Sequence, residues 1–322
     1  MAKVKPKEKQ PKKKQTLGMK ILTVVFSVIS IFYVSPLFIV LMNSFKFKTD
    51  ISDNPFAFPN AETFYGFQNY IKGMTFGNFS FWKVVLTSLF ITIGGVFLIL
   101  LCTSMTAWYV TRVNSKICKI IYYFCVFSMV VPFQMVMYTL SKTADKLHLN
   151  SPIGILVVYL GFGAGLAIFM FSGFVKGIPI EVEEAASVDG AGPLRTYFGV
   201  VVPIMKPTII SVGILETMWI WNDYLLPYLI FSGTNYRTIP IHIQYLNGSY
   251  GQTDMGAIMS LIIVSILPII IFYFACQKYI IEGVVPVLLR DNSQIMLIYN
   301  YMLIIKLTVT DPHLRVCFPF VF

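Results

Sequence analysis

Charge is what this chain has least of. Only 12% of its residues are Asp, Glu, Lys or Arg, against about a quarter in an ordinary soluble domain. With 56% apolar residues, most of the chain has lipid rather than water as its solvent. Histidine is scarce: His148, His242 and His313 stand singly. The cysteines Cys102, Cys118, Cys125, Cys276 and Cys317 are odd in number and match no zinc spacing, so neither a disulfide framework nor a metal site is expected. No Gly-x-x-x-x-Gly-Lys-Ser/Thr occurs, which removes the phosphate cradle of a P-loop ATPase. His-Glu-x-x-His and Gly-x-Ser-x-Gly are missing too, leaving an enzyme reading nothing to stand on. The expectation is a non-enzyme without cofactor.

Acidic residues number 15 against 25 basic ones, and the excess is concentrated at the N-terminus. There Lys3, Lys5, Lys7, Lys9, Lys12, Lys13, Lys14 and Lys20 face the single acid Glu8. No aromatics interleave them and an apolar run follows, so residues 1–19 read as a basic cytoplasmic tail and not as a nucleic-acid patch.

What is abundant is long apolar sequence. Runs near the ~20 residues needed to cross a bilayer fall at about 21–42, 82–110, 120–140, 153–175, 208–231 and 257–276, predicting six spans. The first has no small-residue cleavage site after it and reads as an anchor, not a signal peptide. The third holds Pro132, which should kink it, and the sixth holds Pro268. The fourth carries Gly154, Gly161, Gly163, Gly165 and Gly173, more readily a packing surface than a pore. Residues 43–81, with Pro55, Pro59, Gly66, Gly73 and Gly77, read as a compact irregular outer loop. Lysine and arginine at the N-terminus and after the second span place those segments inside the cell, and with them residues 176–206 and the C-terminus.

The loop 176–206 is polar and carries helix punctuation. Pro179 suits a first turn, and Glu181, Glu183 and Glu184 lie where the helix dipole favours negative charge. Gly190 can take the left-handed conformation that ends a helix, and Pro193 can start another. Ala185 and Ala186 are small enough for a partner surface to close over them, leaving Glu184 to meet an arginine there. Taken one at a time, these residues are equally a dipole-complementing carboxylate, good helix formers and a turn.

A second signal lies in the fifth span, where Glu216 and Asp223 interrupt apolar sequence at a cost of at least ~2.5–3.5 kcal/mol each on insertion scales. At about 100° per residue, Glu216, Trp219, Ile220, Asp223, Tyr224 and Pro227 share a stripe expected to face the interior, while Trp221 and Asn222 turn towards neighbouring helices. For Asp223 the alternative is a structural hydrogen bond beside a helix irregularity.

Glu184-Ala185-Ala186, Asp189-Gly190-Ala191 and Pro203 resemble the cytoplasmic loop of the permease subunits of binding-protein-dependent ABC importers, with Val200 and Val202 as conservative departures. The fuller loop, with Trp221-Asn222-Asp223 downstream and Phe67-Gln68-Asn69-Tyr70 upstream, is similar to the maltose-permease-like, sugar-transporting branch; the likeness spans residues 19–283. It implies an all-α integral membrane protein, a six-helix type I importer bundle with a cytoplasmic coupling helix, in the cell membrane of a prokaryote. It implies the partners as well: a second permease, two ATP-binding subunits and an outside solute-binding protein. Coupling to the ATPase would fall to Glu184, Ala185, Ala186, Asp189, Gly190 and Pro203, and the translocation path to Glu216, Trp219, Asp223 and Tyr224. Glu216 departs from the family, where apolar residues are common, so this acid is expected to be particular to the cargo or partner. A permease for another polar solute, or a membrane sensor or scaffold using the same docking helix, are the competing readings.

Beyond Lys278–Gly283 the likeness stops, and residues 284–322 form an atypical tail where the family has a short end resembling Ala-Gly-Ala-Val-Lys-Gly. Codons for Val-Val-Ala-Gly-Ala-Val-Lys-Gly-stop can be chosen so that removing one base yields Val-Val-Pro-Val-Leu-Leu-Arg-Asp, and Asn if a pyrimidine follows, which is residues 284–292. A frame slip is therefore expected, with 293–322 translated non-coding sequence and 295–310 no seventh functional span. The alternative is a genuine extension packed on the membrane surface.

Overall fold

The computed structural model describes residues 17–76, 80–247 and 253–289, the side chains of Met19 and 277–289 excepted. The basic tail over residues 1–16, His313, Cys317 and the tail from residue 290 onward lie outside the described residues. The chain divides into two compact units, Met1–Phe76 with Leu246–Val264, and Gly77–Tyr245 with Ser265–Phe322.

In the first unit, α1 (Leu17–Asn43) is apolar on every side and its side chains stay largely exposed, as suits a lipid-facing anchor. Ser27 and Ser30 turn their hydroxyls back onto the carbonyls of Thr23 and Phe26, both at 2.8 Å, so neither presents a bare polar group to the lipid. The following loop is irregular but tightly tied. It contains α2 (Lys48–Asp53) and α3 (Gln68–Thr75). Asn69, buried at the start of α3, donates to the carbonyls of Ser44 (2.9 Å) and Lys46 (2.8 Å), and its own carbonyl accepts from Ser260 Oγ (3.0 Å). Lys46 is buried as well and donates to the Asn54 carbonyl at 3.0 Å. Gly256 is needed beside this knot, because a Cβ there would come within 2.5 Å of Asn69 Oδ1.

The second unit is organised by α4 (Phe81–Arg112), α7 (Gly154–Val175) and α10 (Val202–Asn222). Ile99 and Ala107 of α4, Ile155, Tyr159, Ala167 and Phe171 of α7, and Val212 and Ile220 of α10 form a continuous apolar core. The glycines of α7 divide by role. A Cβ on Gly163 would meet Ile99 Cδ1 at 2.6 Å, and one on Gly165 would meet Met129 Cγ at 2.7 Å, so both permit close helix approach. Gly161 and Gly173 face open space.

The kink expected at Pro132 is a break. α5 (Lys116–Ser128) and α6 (Phe133–Lys146) meet at 106°, and each alone is too short to cross a bilayer. Among the described residues five helices are long and apolar enough to span, or six if the broken pair counts as one. The fifth span differs from expectation too. α10 stops at Asn222, and the chain turns through Asp223 and Tyr224 before α11 (Leu225–Ile230), so the predicted stripe does not run unbroken to Pro227. The short α12 (Ile239–Tyr245) follows, and α13 (Met255–Leu289) runs well past the predicted end of the sixth span, as a single helix through Pro268.

Candidate coupling helix and polar span

Between α7 and α10 the chain makes α8 (Ile180–Val188) and α9 (Pro193–Thr196). Pro179 stands at the N-cap in extended conformation (φ −56, ψ 135), one position before the predicted first turn, and Glu181 and Glu183 fill that turn. At the other end Asp189 N–H reaches the Ala185 carbonyl (3.0 Å), Gly190 N–H the Ser187 carbonyl (3.0 Å) and Ala191 N–H the Ala186 carbonyl (2.9 Å). Gly190 takes φ +80 with open space around it, so backbone conformation and not crowding calls for glycine. Pro193 opens α9, whose last residue leads into a π-helical turn, Tyr197–Val201, and Pro203 is exposed at the start of α10.

No side chain of α8 is fully buried. Glu184, Ala185, Asp189 and Gly190 are exposed and Ala186 is half-buried. Glu183 behaves differently from its neighbour Glu184. It faces back towards α4, where its Oε1 accepts from Arg112 Nε (2.8 Å) and lies 2.6 Å from Arg112 Nη2, and its Oε2 accepts from Trp108 Nε1 (2.9 Å). Arg112 also donates to the Ile178 carbonyl at 2.9 Å. The Trp108 ring lies 5.4 Å from that of Tyr197, whose hydroxyl shares a 2.6 Å hydrogen bond with Ser104 Oγ. In the sequence Glu183 reads only as complementing the helix dipole. The pairing joins residues some 70 positions apart, and no local signal announces it.

Along α10, Glu216 is 2% exposed, and its Oε2 is without a hydrogen-bond partner among the described residues. It lies over Gly163, where a Cβ would sit 3.0 Å from Oε2. Trp219 is partly exposed, with its ring edge-on to Tyr159 (5.4 Å, 89°), and Trp221 Nε1 donates to the Ser265 carbonyl at 3.2 Å. Asn222 is exposed and hydrogen-bonds within its own helix, to the Met218 carbonyl at 2.7 Å, and does not turn to a neighbour.

Asp223 sits at the joint. Its backbone is extended (φ −72, ψ 122), its Oδ1 accepts from the N–H groups of Leu225 (3.0 Å) and Leu226 (3.4 Å), and its Oδ2 accepts from Tyr159 Oη at 3.0 Å. That is the geometry by which an aspartate ends one helix and caps the next. Tyr224, half-buried, stacks on Tyr228 at 5.2 Å. Tyr159, completely buried, is the partner that sequence reasoning missed.

Long apolar helices with a polar, exposed helix-turn-helix between two of them define an integral membrane protein that presents a helical element outside the bilayer. Residues 99–285 match the family of binding-protein-dependent transport system inner membrane components, and the chain belongs to that family. It is therefore a transport permease and not an enzyme. Among its relatives, the probable starch degradation products transport system permease protein AmyC of Thermoanaerobacterium thermosulfurigenes is 36% identical over 266 residues, 82% of this chain and 94% of the relative. The multiple sugar-binding transport system permease protein MsmG of Streptococcus mutans is 31% identical over 264 residues, 81% of this chain and 93% of the relative. A solved bacterial ABC transporter involved in the import of the acidic polysaccharide alginate shares the fold, with a TM-score of 0.62 at 20% identity, covering 83% of this chain and 99% of its own.

Proposed function

We propose that the chain carries a sugar or oligosaccharide across the cell membrane, paired with a second permease, two ATP-binding subunits and an outside solute-binding protein. The observation that carries the cargo is likeness over nearly the whole length of permeases named for starch degradation products and for multiple sugars. An experimentally solved relative of the same fold has been seen with an oligosaccharide-bound periplasmic protein, which supports the binding-protein partner. The N-terminus, α8 and the C-terminus face the cytoplasm in this reading, following the basic residues.

Coupling runs through α8: the exposed Glu184 and the small Ala185 and Ala186 take the ATP-binding subunit, Asp189 and Gly190 shape the turn after it, and Pro203 sets the start of α10. Closure of the ATP-binding subunits then rocks the helices between inward and outward openings without covalent chemistry. The path follows α10 through Glu216, Trp219, Asp223 and Tyr224. Glu216 is occluded in the present conformation, so it meets cargo only when α7 and α10 separate.

Uptake of labelled maltotriose, raffinose, arabinotriose and a non-sugar control such as glycerophosphocholine in a deletion strain tests the cargo. Loss of one sugar, restored by the gene, is the expected result. Loss of the phosphodiester alone, or of no uptake at all, would overturn it.

A further inference from the structure

The Glu-Ala-Ala helix is continuous in sequence with α7 before it and α10 after it, yet its inward carboxylate grips neither. Glu183 spends both oxygens on α4, one on the Arg112 guanidinium and one on the Trp108 indole, and Arg112 adds a bond to the Ile178 carbonyl at the root of α8. Arg112 and Glu183 are 18% and 11% exposed, so the pair is shielded from bulk water, and a charge-assisted hydrogen bond in such a place is about twice as strong as a neutral one. The far side of the same element is fastened to the same stretch of α4. Tyr197 follows α9 directly, lies against Trp108 and bonds Ser104 one helical turn further into α4. Three residues of α4's last turns, Ser104, Trp108 and Arg112, thus hold both ends of the helix-turn-helix. π-Helical turns concentrate at functional sites, and the one here begins at Tyr197, the residue that makes the second attachment.

We infer that Glu183, Arg112 and Trp108 are positioning residues that clamp the coupling helix to α4, so that α4, remote in sequence, moves as one body with α8 when the ATP-binding subunits close. The inference rests on the coupling role proposed for α8. Glu184 and Glu183 divide the labour of adjacent positions: Glu184 points outward to the partner, and Glu183 points inward to carry the displacement into the membrane. α4 is the suitable receiver because its Ile99 packs directly on Gly163 of α7 beside Glu216. A motion entering at Arg112 therefore reaches the occluded carboxylate through one unbroken helix and one tight contact.

The test uses the full complex, with spin labels at Val188→Cys on α8 and Tyr109→Cys on α4, both exposed positions, in a cysteine-free background. Distances are measured nucleotide-free and after trapping with MgATP and vanadate. The otherwise unmodified chain should show one narrow distance, identical in the two states. Glu183→Ala and Arg112→Ala should retain the ATP-binding subunit in pull-down, show a distance that differs between the states, and lose about tenfold or more of the coupled ATPase rate, as expected when a shielded charge-assisted contact is removed. The double variant should be no worse than either single. The exchanged pair Glu183→Arg with Arg112→Glu should recover the single distance, a rescue that general structural damage would not give. The clamp is overturned if the unmodified pair already shifts on trapping, if the alanine variants keep one distance and full coupling, or if the exchanged pair behaves like the singles. Failure of the unmodified chain to retain the ATP-binding subunit would instead remove the coupling role of α8 itself.

Discussion

Replacing Asp223 by alanine removes three hydrogen-bond acceptances at one stroke, and their sum is calculable. Oδ1 caps α11 through the Leu225 and Leu226 N–H groups, and loss of an N-cap acceptor costs ~1 kcal/mol, within about 0.5–2. Oδ2 accepts from the hydroxyl of the buried Tyr159. Side-chain hydrogen bonds between membrane helices average ~0.6 kcal/mol and reach about 1.7. Together Asp223→Ala should cost about 1.6 kcal/mol, Tyr159→Phe about 0.6, and the double variant less than the sum because the two share one bond. Unfolding of the purified protein by SDS titration reads these differences. Asp223→Asn, which keeps an acceptor for the cap, should fall between. A loss below about 0.5 kcal/mol in Asp223→Ala, combined with abolished uptake, would refute the joint and leave Asp223 as a contact to cargo alone.

Glu184→Ala should leave expression and SDS stability unchanged yet weaken retention of the ATP-binding subunit roughly tenfold to a hundredfold, since a charge-assisted contact is worth about 1.5–3 kcal/mol; undiminished pull-down and uptake would count against docking through this carboxylate. Gly163→Leu should destabilise by about 1–3 kcal/mol through overpacking, because even a Cβ there meets Ile99 at 2.6 Å and Glu216 at 3.0 Å, and Ile99→Ala should relieve part of it; a neutral Gly163→Leu would show that α4 and α7 do not approach so closely. Glu216→Leu should fold at least as well as the parent, since it removes a buried carboxylate whose Oε2 has no hydrogen-bond partner among the described residues, while uptake rate or sugar preference changes; loss of expression with full function in Glu216→Gln would make the acid a structural group. Resequencing across codon 285 should recover one base and a stop soon after, whereas an intact frame to Phe322 with uptake lost on removing residues 293–322 would make the tail a working part.

Local features of the fold were legible because their causes are local. Apolar run length announced the spans, Pro193 and Gly190 marked where one short helix ends and the next begins, and the acidic residues of the first turn matched the helix dipole. Pro132 showed where the third span would bend, but a 106° turn depends on what the freed backbone packs against, and proline alone does not set that angle. Asp223 was ambiguous for a similar reason: the same aspartate in an apolar run is a cargo contact or a cap until the backbone conformation at 223 and the hydroxyl of Tyr159 are in place.

The sequence by itself determined a membrane protein with a polar helix between apolar spans, since hydropathy and helix punctuation are written within a few turns of chain, and its Glu-Ala-Ala pattern carried the likeness to the permease family. Only the tertiary structure decided which carboxylate of that helix faces its own chain. Glu183 and Glu184 are indistinguishable to propensity and to charge counting, and the 100° that separates them about the helix axis matters only once α4 brings Arg112 and Trp108 to one side. Contacts between positions some 70 residues apart depend on how whole helices pack, a property of the assembled core and not of any window of sequence.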